Sequence, residues 1–448
     1  MPSYQSWGRL PKATPSAVHR LYWRSELAEL DLGPPPALPY GLGRSYGDSC
    51  LNDGGLLIDT SGLSRLIHFD SERGILRAEA GLSLEQLLAV IVPRGWFLPV
   101  SPGTQFITLG GAVANDIHGK NHHHAGSFGR HVRCFELWRS DGTLRECSPQ
   151  ENAELFRATI GGLGLTGLIS WVEIQLIRIA SPCLQMERIR FRSLDEYLAL
   201  EAESSADYEY TVSWVDCLRS GPTRGLFQRA NFTEDGTALS MGDTTFSKRG
   251  IARKTRRLLR VPFDIPSFAL NSTAMKLFNQ SIFHLQRSDR ISRVTHYVPF
   301  FYPLDGVRDW NRIYGKRGFY QYQFVVPSKA EDAFREILLR ISSSRQGSFL
   351  VILKKFGNAA SPGLMSFPRE GLTLALDFPN RGQTTLDLLD ELDRLVQQAG
   401  GCVYPAKDAR MSAASFQLYY PQWKEFARTI DPRFSSSFWR RVTADAGP

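Results

Sequence analysis

Glycine-rich runs carry the first chemical signal in this 448-residue sequence. One reads Gly41-Leu42-Gly43-Arg44-Ser45-Tyr46-Gly47-Asp48. A second spans Pro102 to Gly119 and contains Gly103, Thr108, Leu109, Gly110, Gly111, Asn115, Ile117 and His118; a third runs from Gly161 to Gly167. Glycine lets backbone N–H groups approach a phosphate closely, in conformations other residues resist. Two such loops about 60 residues apart suit a pyrophosphate gripped from two sides. A Rossmann site would need G-x-G-x-x-G directly after a buried strand. Leu38-Pro39-Tyr40 does not read as a strand, and Gly47 falls one position late for that spacing. No GxxxxGK[ST] phosphate loop occurs either.

Other reactive side chains are less telling by themselves. His122, His123 and His124 are adjacent, and on an extended segment their side chains would diverge rather than share an ion. No Cys or carboxylate follows at ligand spacing, so no metal is expected. The six cysteines form no CxxC pair, which predicts reduced and mostly buried thiols rather than a zinc ribbon or disulfide framework. Lys248, Arg249, Arg253, Lys254, Arg256, Arg257 and Arg260 fall within thirteen residues, with Leu258, Leu259, Val261 and Phe263 beside them. A solvated loop and a segment for an anionic membrane surface both account for this run. No nucleic-acid recognition motif accompanies it, so nucleic acid is not an expected partner.

The elements that must position these residues are partly legible. A Pro-rich stretch, Gly33 to Pro39, follows an expected N-terminal helical region. Short strands are expected at Leu56 to Asp59, Leu66 to Phe69 and Ile75 to Ala80. Ser83 and Gln86 form a capping box for a helix through Leu84, Leu87, Leu88 and Ile91, ended by Pro93 and Gly95. Phe319 to Val326 is a strong strand with Gln321 and Gln323 on one face and Tyr322, Phe324 and Val326 on the other. Ser328 and Glu331 suggest a capping box for the next helix. Leu372 to Phe378 repeats the alternation, with Thr373, Ala375 and Asp377 opposite four apolar residues. A helix from Thr385 to about Gln398 carries Leu388, Leu389, Leu392, Leu395 and Val396. A sheet with one oily and one polar face must turn the second toward water or a site.

At 42% hydrophobic and 22% charged residues the chain is ordinary globular material, long enough for two or three domains. That excludes a fibrous repeat or a disordered chain. No stretch approaches 18 uncharged apolar residues, and the N-terminus has no apolar core behind its charges. A cytoplasmic protein is expected, peripheral on the inner face of the membrane, or else a periplasmic one exported by a route the sequence does not show. The net charge of +8 favours anionic partners.

The glycine loops resemble the FAD-binding domain of the vanillyl-alcohol oxidase (PCMH-type) superfamily. Within it, His118 to His123, Ala125 to Gly129, Phe301 to Asp305, Tyr320 to Phe324, Asp377 to Pro379 and Tyr404 to Asp408 resemble the decaprenylphosphoryl-β-D-ribose 2′-oxidase family. The likeness spans nearly the whole chain and is weakest between about residues 215 and 290. It implies an α+β fold: a two-subdomain FAD-binding domain (1–182), a substrate domain with a helix-covered antiparallel sheet (183–401), and a C-terminal segment returning to the FAD domain (402–448).

The resemblance further implies FAD contacts at Gly41, Gly43 to Asp48, Gly103, Thr108 to Gly111, Asn115, Ile117, His118, Ile169 and Tyr404. Arg44 stands where many relatives tether FAD through a His, so non-covalent FAD is expected. Lys407, His118 and Tyr46 match catalytic positions, either Lys407 or His118 taking the proton, and Lys120, Trp214, Tyr302, Gln323 and Lys354 match the substrate pocket. Lys120 and Lys354 would serve as point charges for a phosphate. Thr373 and Ala375 stand where the mycobacterial pattern carries Asn and Cys. The implied reaction oxidises the 2′-hydroxyl of a polyprenyl-phosphoryl ribose, the first half of an epimerisation to the arabinose donor for cell-wall arabinan. An NAD(P)H-dependent reductase would be the partner that completes it. A sugar, alditol or aldonolactone oxidase using oxygen is the alternative within the fold, and a binding or scaffold subunit without catalysis is the alternative outside enzymes.

Overall fold

The computed structural model describes residues 4–34, 36–219, 221–234, 240–241, 244–247, 250–251, 259–266 and 270–444. Most of the 248–260 basic run therefore lies outside the described residues. The fold is α+β, built on three principal sheets.

The first sheet is parallel and three-stranded, with Leu56–Asp59 between Ala17–Arg20 and Ala37–Tyr40. Two expectations are corrected here. The N-terminal region is not α-helical: it holds the strand Ala17–Arg20 and a 3-10 turn at Arg24–Ala28, because pairing with Leu56–Asp59 outweighs local propensity. Leu38-Pro39-Tyr40 does form a strand, and Pro39 is tolerated because that strand lies at the sheet edge. The glycine loop after it leads into a 3-10 turn at Asp48–Cys50 and not into the helix a Rossmann unit needs.

The second sheet is five-stranded and antiparallel, in the order Leu66–Asp70, Ile75–Glu79, Leu168–Gln175, Val132–Trp138, Leu144–Cys147. Helix Leu84–Ile91 packs on it with Leu84, Leu87, Leu88 and Ile91 buried, and its Ser83–Gln86 capping box is formed. Helix Leu109–Ala114 follows Thr108, whose hydroxyl accepts from the Gly111 N–H at 3.1 Å.

The third sheet has eight strands, every neighbouring pair antiparallel. Its order is Arg290–His296, Cys183–Phe191, Gly225–Phe232, Tyr210–Val215, Val351–Phe356, Gly371–Pro379, Phe319–Val326, Cys402–Val403. Tyr322, Phe324, Val326, Leu372, Leu374, Leu376 and Phe378 bury one face against helices Glu331–Ser344 and Gln383–Gln398. Each buried Leu, Ile or Phe contributes about 1.5–3 kcal/mol, so this layer holds the sheet rigid. The expected Ser328–Glu331 capping box does not form. Ser328 sits in a 3-10 turn at Ser328–Ala330, which shifts the helix start to Glu331 with Ala330 at its cap. The Gln383–Gln398 helix begins two residues earlier than expected, behind Gly382 at φ +71°.

His122 to His124 occupy a short helix, His122–Ala125, rather than an extended segment. The His122 ring packs on Phe356 at 4.5 Å, His123 Nε2 lies 3.1 Å from the Tyr208 carbonyl, and His124 is exposed. All six cysteines are free and five are buried. Among the described residues no helix is long and apolar enough to cross a membrane.

The chain's end returns to its beginning. Phe434 bridges Ala37, and helix Ser437–Thr443 packs on the Asp48–Cys50 turn. Arg441 donates to both Asp48 oxygens (2.7 and 2.9 Å) and to Asp408 (2.9 Å), where both carboxylates are buried. Breaking a buried ion pair by removing one partner costs about 3–5 kcal/mol, because the other charge is left unpaired. An Arg441→Met variant is therefore expected to lose about that much stability. Urea unfolding checks this: the midpoint should fall at unchanged slope.

Candidate active site

A cavity of about 860 Å³ opens between the glycine loops and the polar face of the eight-stranded sheet. That volume is toward the upper end of the roughly 300–1,000 Å³ usual for small-molecule sites. On one side the loops touch: a Cβ on Gly41 would lie 2.6 Å from Thr108 Oγ1, so glycine permits their contact. Gly43 has φ +59°, a conformation that favours glycine, and an added Cβ there would collide with Tyr40. This cradle of small residues fits a pyrophosphate, with Gly103, Gly110, Gly111, Asn115, Ile117 and Ile169 also on the wall.

The opposite wall follows from strand register. Gln321 pairs with Asp377; Gln323, Ala375, Ile352 and Trp214 lie side by side across four strands; Lys354 pairs with Thr373. Side chains opposite one another in antiparallel strands share a face, so one row of polar groups meets the cavity. Lys407 comes from a 3-10 turn at Pro405–Lys407. That turn is stitched to both walls: Tyr404 N donates to the Gln323 carbonyl, Tyr404 OH to the Asn115 carbonyl, and Tyr46 N to the Ala406 carbonyl (2.9, 2.7 and 2.9 Å).

Most sequence-predicted residues meet here: Gly41, Gly43, Arg44, Ser45, Tyr46, Gly103, Thr108, Gly110, Gly111, Asn115, Ile117, His118, Lys120, Ile169, Trp214, Gln323, Lys354, Tyr404 and Lys407 line the cavity. Four do not. Gly47 is where the first loop crosses Asp408, and a Cβ there would fall 1.5 Å from the Asp408 carbonyl oxygen. Asp48 is turned away into its ion pair with Arg441. Leu109 is buried in the core beneath the second sheet. Tyr302 is buried behind the wall, its hydroxyl hydrogen-bonded to Ser101, which does line the cavity.

His118 is held at both ring nitrogens. Lys354 Nζ lies 2.9 Å from Nδ1, and Gln323 Nε2 lies 2.9 Å from Nε2. Lys354 also donates to the Gly119 carbonyl at 2.9 Å, and Gln323 to Thr373 Oγ1 at 3.1 Å. Gln323 Oε1 is buried and has no hydrogen-bond partner. Burial, with the nearby Lys354 and Lys407 charges, holds His118 well below its usual basicity. Burial, then Lys407 and Lys120, does the same to Lys354. Burial alone lowers Lys120 to about 7; its Nζ contacts the Phe300 carbonyl and sits 4.5 Å above the Phe300 ring. Lys407, 5.3 Å from the Tyr46 ring centre, falls to about 8 by burial, an effect the Asp377 carboxylate opposes.

Asp377 was not singled out from the sequence as a site residue. Gln321 donates to it at 2.6 Å and Tyr314 at 3.1 Å, and burial raises it to about 6 against those bonds and Lys407. Its place opposite the apolar residues of its strand was the available signal. Arg188, Gln228, Arg260, Arg293 and Arg308, at the outer part of the cavity, were also missed. Gln228 and Arg260 fall in the region where resemblance was weakest, and for all five no spacing rule marks a cavity rim. Arg44 lies over the Trp7 ring at 4.1 Å.

A family of FAD binding domains matches residues 35–148. The decaprenylphosphoryl-β-D-ribose oxidase of Mycolicibacterium smegmatis is 36% identical over 97% of this chain and 96% of its own length. An uncharacterised protein of Streptomyces coelicolor is 32% identical over 81% of this chain and its full length. Mouse L-gulonolactone oxidase is 30% identical over only 31% of each chain. The small-residue cradle, the FAD-domain match and full-length kinship agree, and the chain belongs to the decaprenylphosphoryl-β-D-ribose oxidase family of FAD-dependent oxidoreductases.

Proposed function

We propose that this protein oxidises the 2′-hydroxyl of a polyprenyl-phosphoryl-β-D-ribose to the 2′-keto sugar. One observation supports this above others: a half-buried lysine of lowered basicity, Lys407, shares with the His118–Gln323–Lys354 cluster a cavity continuous with the FAD cradle. Bound FAD supplies the two-electron acceptor for the hydride that leaves the carbinol carbon. Lys407 in its neutral form takes the hydroxyl proton. His118 is too weak a base at neutral pH and instead holds the pocket's geometry. Gln323 Oε1 accepts a hydrogen bond from a sugar hydroxyl, which would satisfy the one orphaned acceptor of that cluster. Lys354 is already engaged with His118 and Gly119, so Lys120 is the cation for the phosphate, between Phe300 and the route to Trp214.

Arg44 cannot form the His-type flavin bond, and FAD is held without a covalent tether. Charge from the 248–260 run would bring the enzyme to an anionic bilayer that carries the lipid-linked substrate. The keto product requires a hydride donor to reach the arabinose configuration, hence an NAD(P)H-dependent reductase as partner. The kinship to L-gulonolactone oxidase covers less than a third of the chain and gives no support to an aldonolactone pocket.

Anaerobic mixing of the FAD-loaded protein with polyprenyl-phosphoryl ribose should bleach the flavin absorbance. Lys407→Ala should slow that step by about 10²–10⁴-fold with FAD still bound; a variant that bleaches at the wild-type rate excludes Lys407 as base. Because the base acts unprotonated, the bleaching rate should climb with pH to a half-maximum near 8, the Lys407 value, and level off above it. A flat profile between pH 6 and 9 would contradict the assignment. Ala375, between Gln323 and Ile352, leaves the pocket without the thiol that the mycobacterial pattern carries. The one cysteine on the cavity wall, Cys50, is pushed up to about 12 by burial. Thiol-directed electrophiles seated in the sugar pocket should therefore spare the wild type and label Ala375→Cys, as read by intact mass.

A further inference from the structure

The three most exposed large apolar side chains among the described residues are Leu285 (78%), Leu259 (71%) and Phe263 (65%), and Leu277 and Phe278 are also exposed. Leu259, Phe263, Phe278 and Leu285 sit within a few residues or one contact of residues that line the cavity, and Leu277 is next to Phe278 on the same helix. Helix Ser272–Leu285 carries three of them, and its end is tied to the rim: Arg188 donates to Gln286 at 2.7 Å, and Arg190 to the Phe283 carbonyl at 3.1 Å. Phe278 packs edge-on to Phe349, next to Leu350 of the cavity wall. Leu259 and Phe263 flank Val261, whose N–H donates to the carbonyl of the rim residue Arg308 at 3.1 Å.

The charge around these side chains has one sign to spare. Residues 259–293 hold five Lys or Arg against two Asp, and of the five Arg260 alone has a carboxylate partner among the described residues, Asp309 at 2.6 Å. Both carboxylates are already ion-paired, Asp264 with Arg9 and Asp289 with Arg192 (2.7 Å each). Arg188 and Arg293 have no carboxylate partner among the described residues, and the Arg293 charge itself lowers Arg188 further after burial has done so. Exposed apolar groups ringed by unpaired cations match an interface of acyl chains beneath anionic headgroups. A water-facing surface gains nothing from that combination, and a protein partner would have to bring both acidic and apolar groups to it.

We propose that the rim formed by Leu259, Phe263, Leu277, Phe278 and Leu285, with Arg188 and Arg293, seats the cavity mouth on an anionic lipid bilayer. The proposal rests on the reading that the substrate is lipid-linked, since only then must the mouth face a membrane. It assigns the contact to a built surface around the mouth, separate from most of the 248–260 run. Long-chain substrate would pass from the leaflet to the cavity without crossing water.

Co-sedimentation of the FAD-loaded protein with phosphatidylglycerol or phosphatidylcholine vesicles tests it. The wild type should bind phosphatidylglycerol at least about tenfold better than phosphatidylcholine. The Leu277→Glu/Leu285→Glu double variant should lose about tenfold or more of that binding. Its flavin spectrum should be unchanged, as should its bleaching by a water-soluble short-chain prenyl-phosphoryl ribose, because both side chains are exposed. Arg293→Gln should weaken binding and flatten its dependence on phosphatidylglycerol content. Wild-type protein that ignores phosphatidylglycerol, binds both vesicles equally, or is matched by the double variant overturns the proposal. Failure of every prenyl-phosphoryl ribose to bleach the flavin would sink the substrate reading but leave the vesicle result standing, so the two failures can be told apart.

Discussion

Too many basic groups share too little water in this cavity, and most of its chemistry follows from that. Half-buried Lys407, Lys354 and Lys120 crowd the inner wall with buried His118, and Asp377 is the acidic side chain that acts on Lys407. An unpaired ammonium in a low-dielectric site is costly, so each of these groups holds its proton less tightly, and Lys120, at about 7, still carries it part of the time near neutral pH. Asp377 offsets the loss for Lys407 alone, which keeps that residue near 8 while Lys354 falls well below its ordinary value. One lysine is thereby poised to exchange a proton near neutral pH, and its neighbour becomes a neutral hydrogen-bonding group. The same three lysines in open solvent would all be cations and none a base at neutral pH.

The sheet delivers this arrangement cheaply. Alternation along three adjacent strands sends leucines and phenylalanines into two covering helices, and sends Gln321, Gln323, Lys354, Thr373 and Asp377 the other way. Rigidity from the apolar layer is what fixes the polar row to within hydrogen-bonding distance. The loop residues depend on a different device. Tyr46 and Lys407 come from distant parts of the sequence, and they meet because Arg441 clamps Asp48 and Asp408 while Gly47 lets the two segments cross.

What could be read from sequence follows the range of the forces involved. The Gln321/Gln323 face and the Ser83–Gln86 cap were legible because period and capping are local. The strand Ala37–Tyr40 was not, since its Pro39 argues against a strand unless the edge position is known. Ser328 carried the right spacing for a cap and the wrong backbone, a 3-10 turn. Resemblance supplied His118 and Lys407 as site residues but not the burial and neighbouring charges that set their basicity. Asp48 and Tyr302 matched family positions yet lie behind the wall, because a motif preserves a loop's shape through residues that never touch the ligand.

Thr373 shows how one side chain can set several protonation states at once. Its hydroxyl proton is committed to the Phe324 carbonyl at 2.8 Å, so toward Gln323 it can only accept. Gln323 must then present its amide nitrogen to Thr373, and the same nitrogen faces His118 Nε2. His118 Nε2 must therefore accept, which puts the single proton of a neutral ring on Nδ1. Nδ1–H then donates to Lys354 Nζ, which has a free lone pair only when uncharged, in agreement with its lowered basicity. One of its two N–H bonds goes to the Gly119 carbonyl. The chain of constraint leaves the Gln323 carbonyl oxygen buried and without a hydrogen-bond partner. An Asn at position 373, as in the mycobacterial pattern, could both donate and accept toward Gln323 and would not fix that amide in the same way. The identity of residue 373 thus sets which way the Gln323 amide faces.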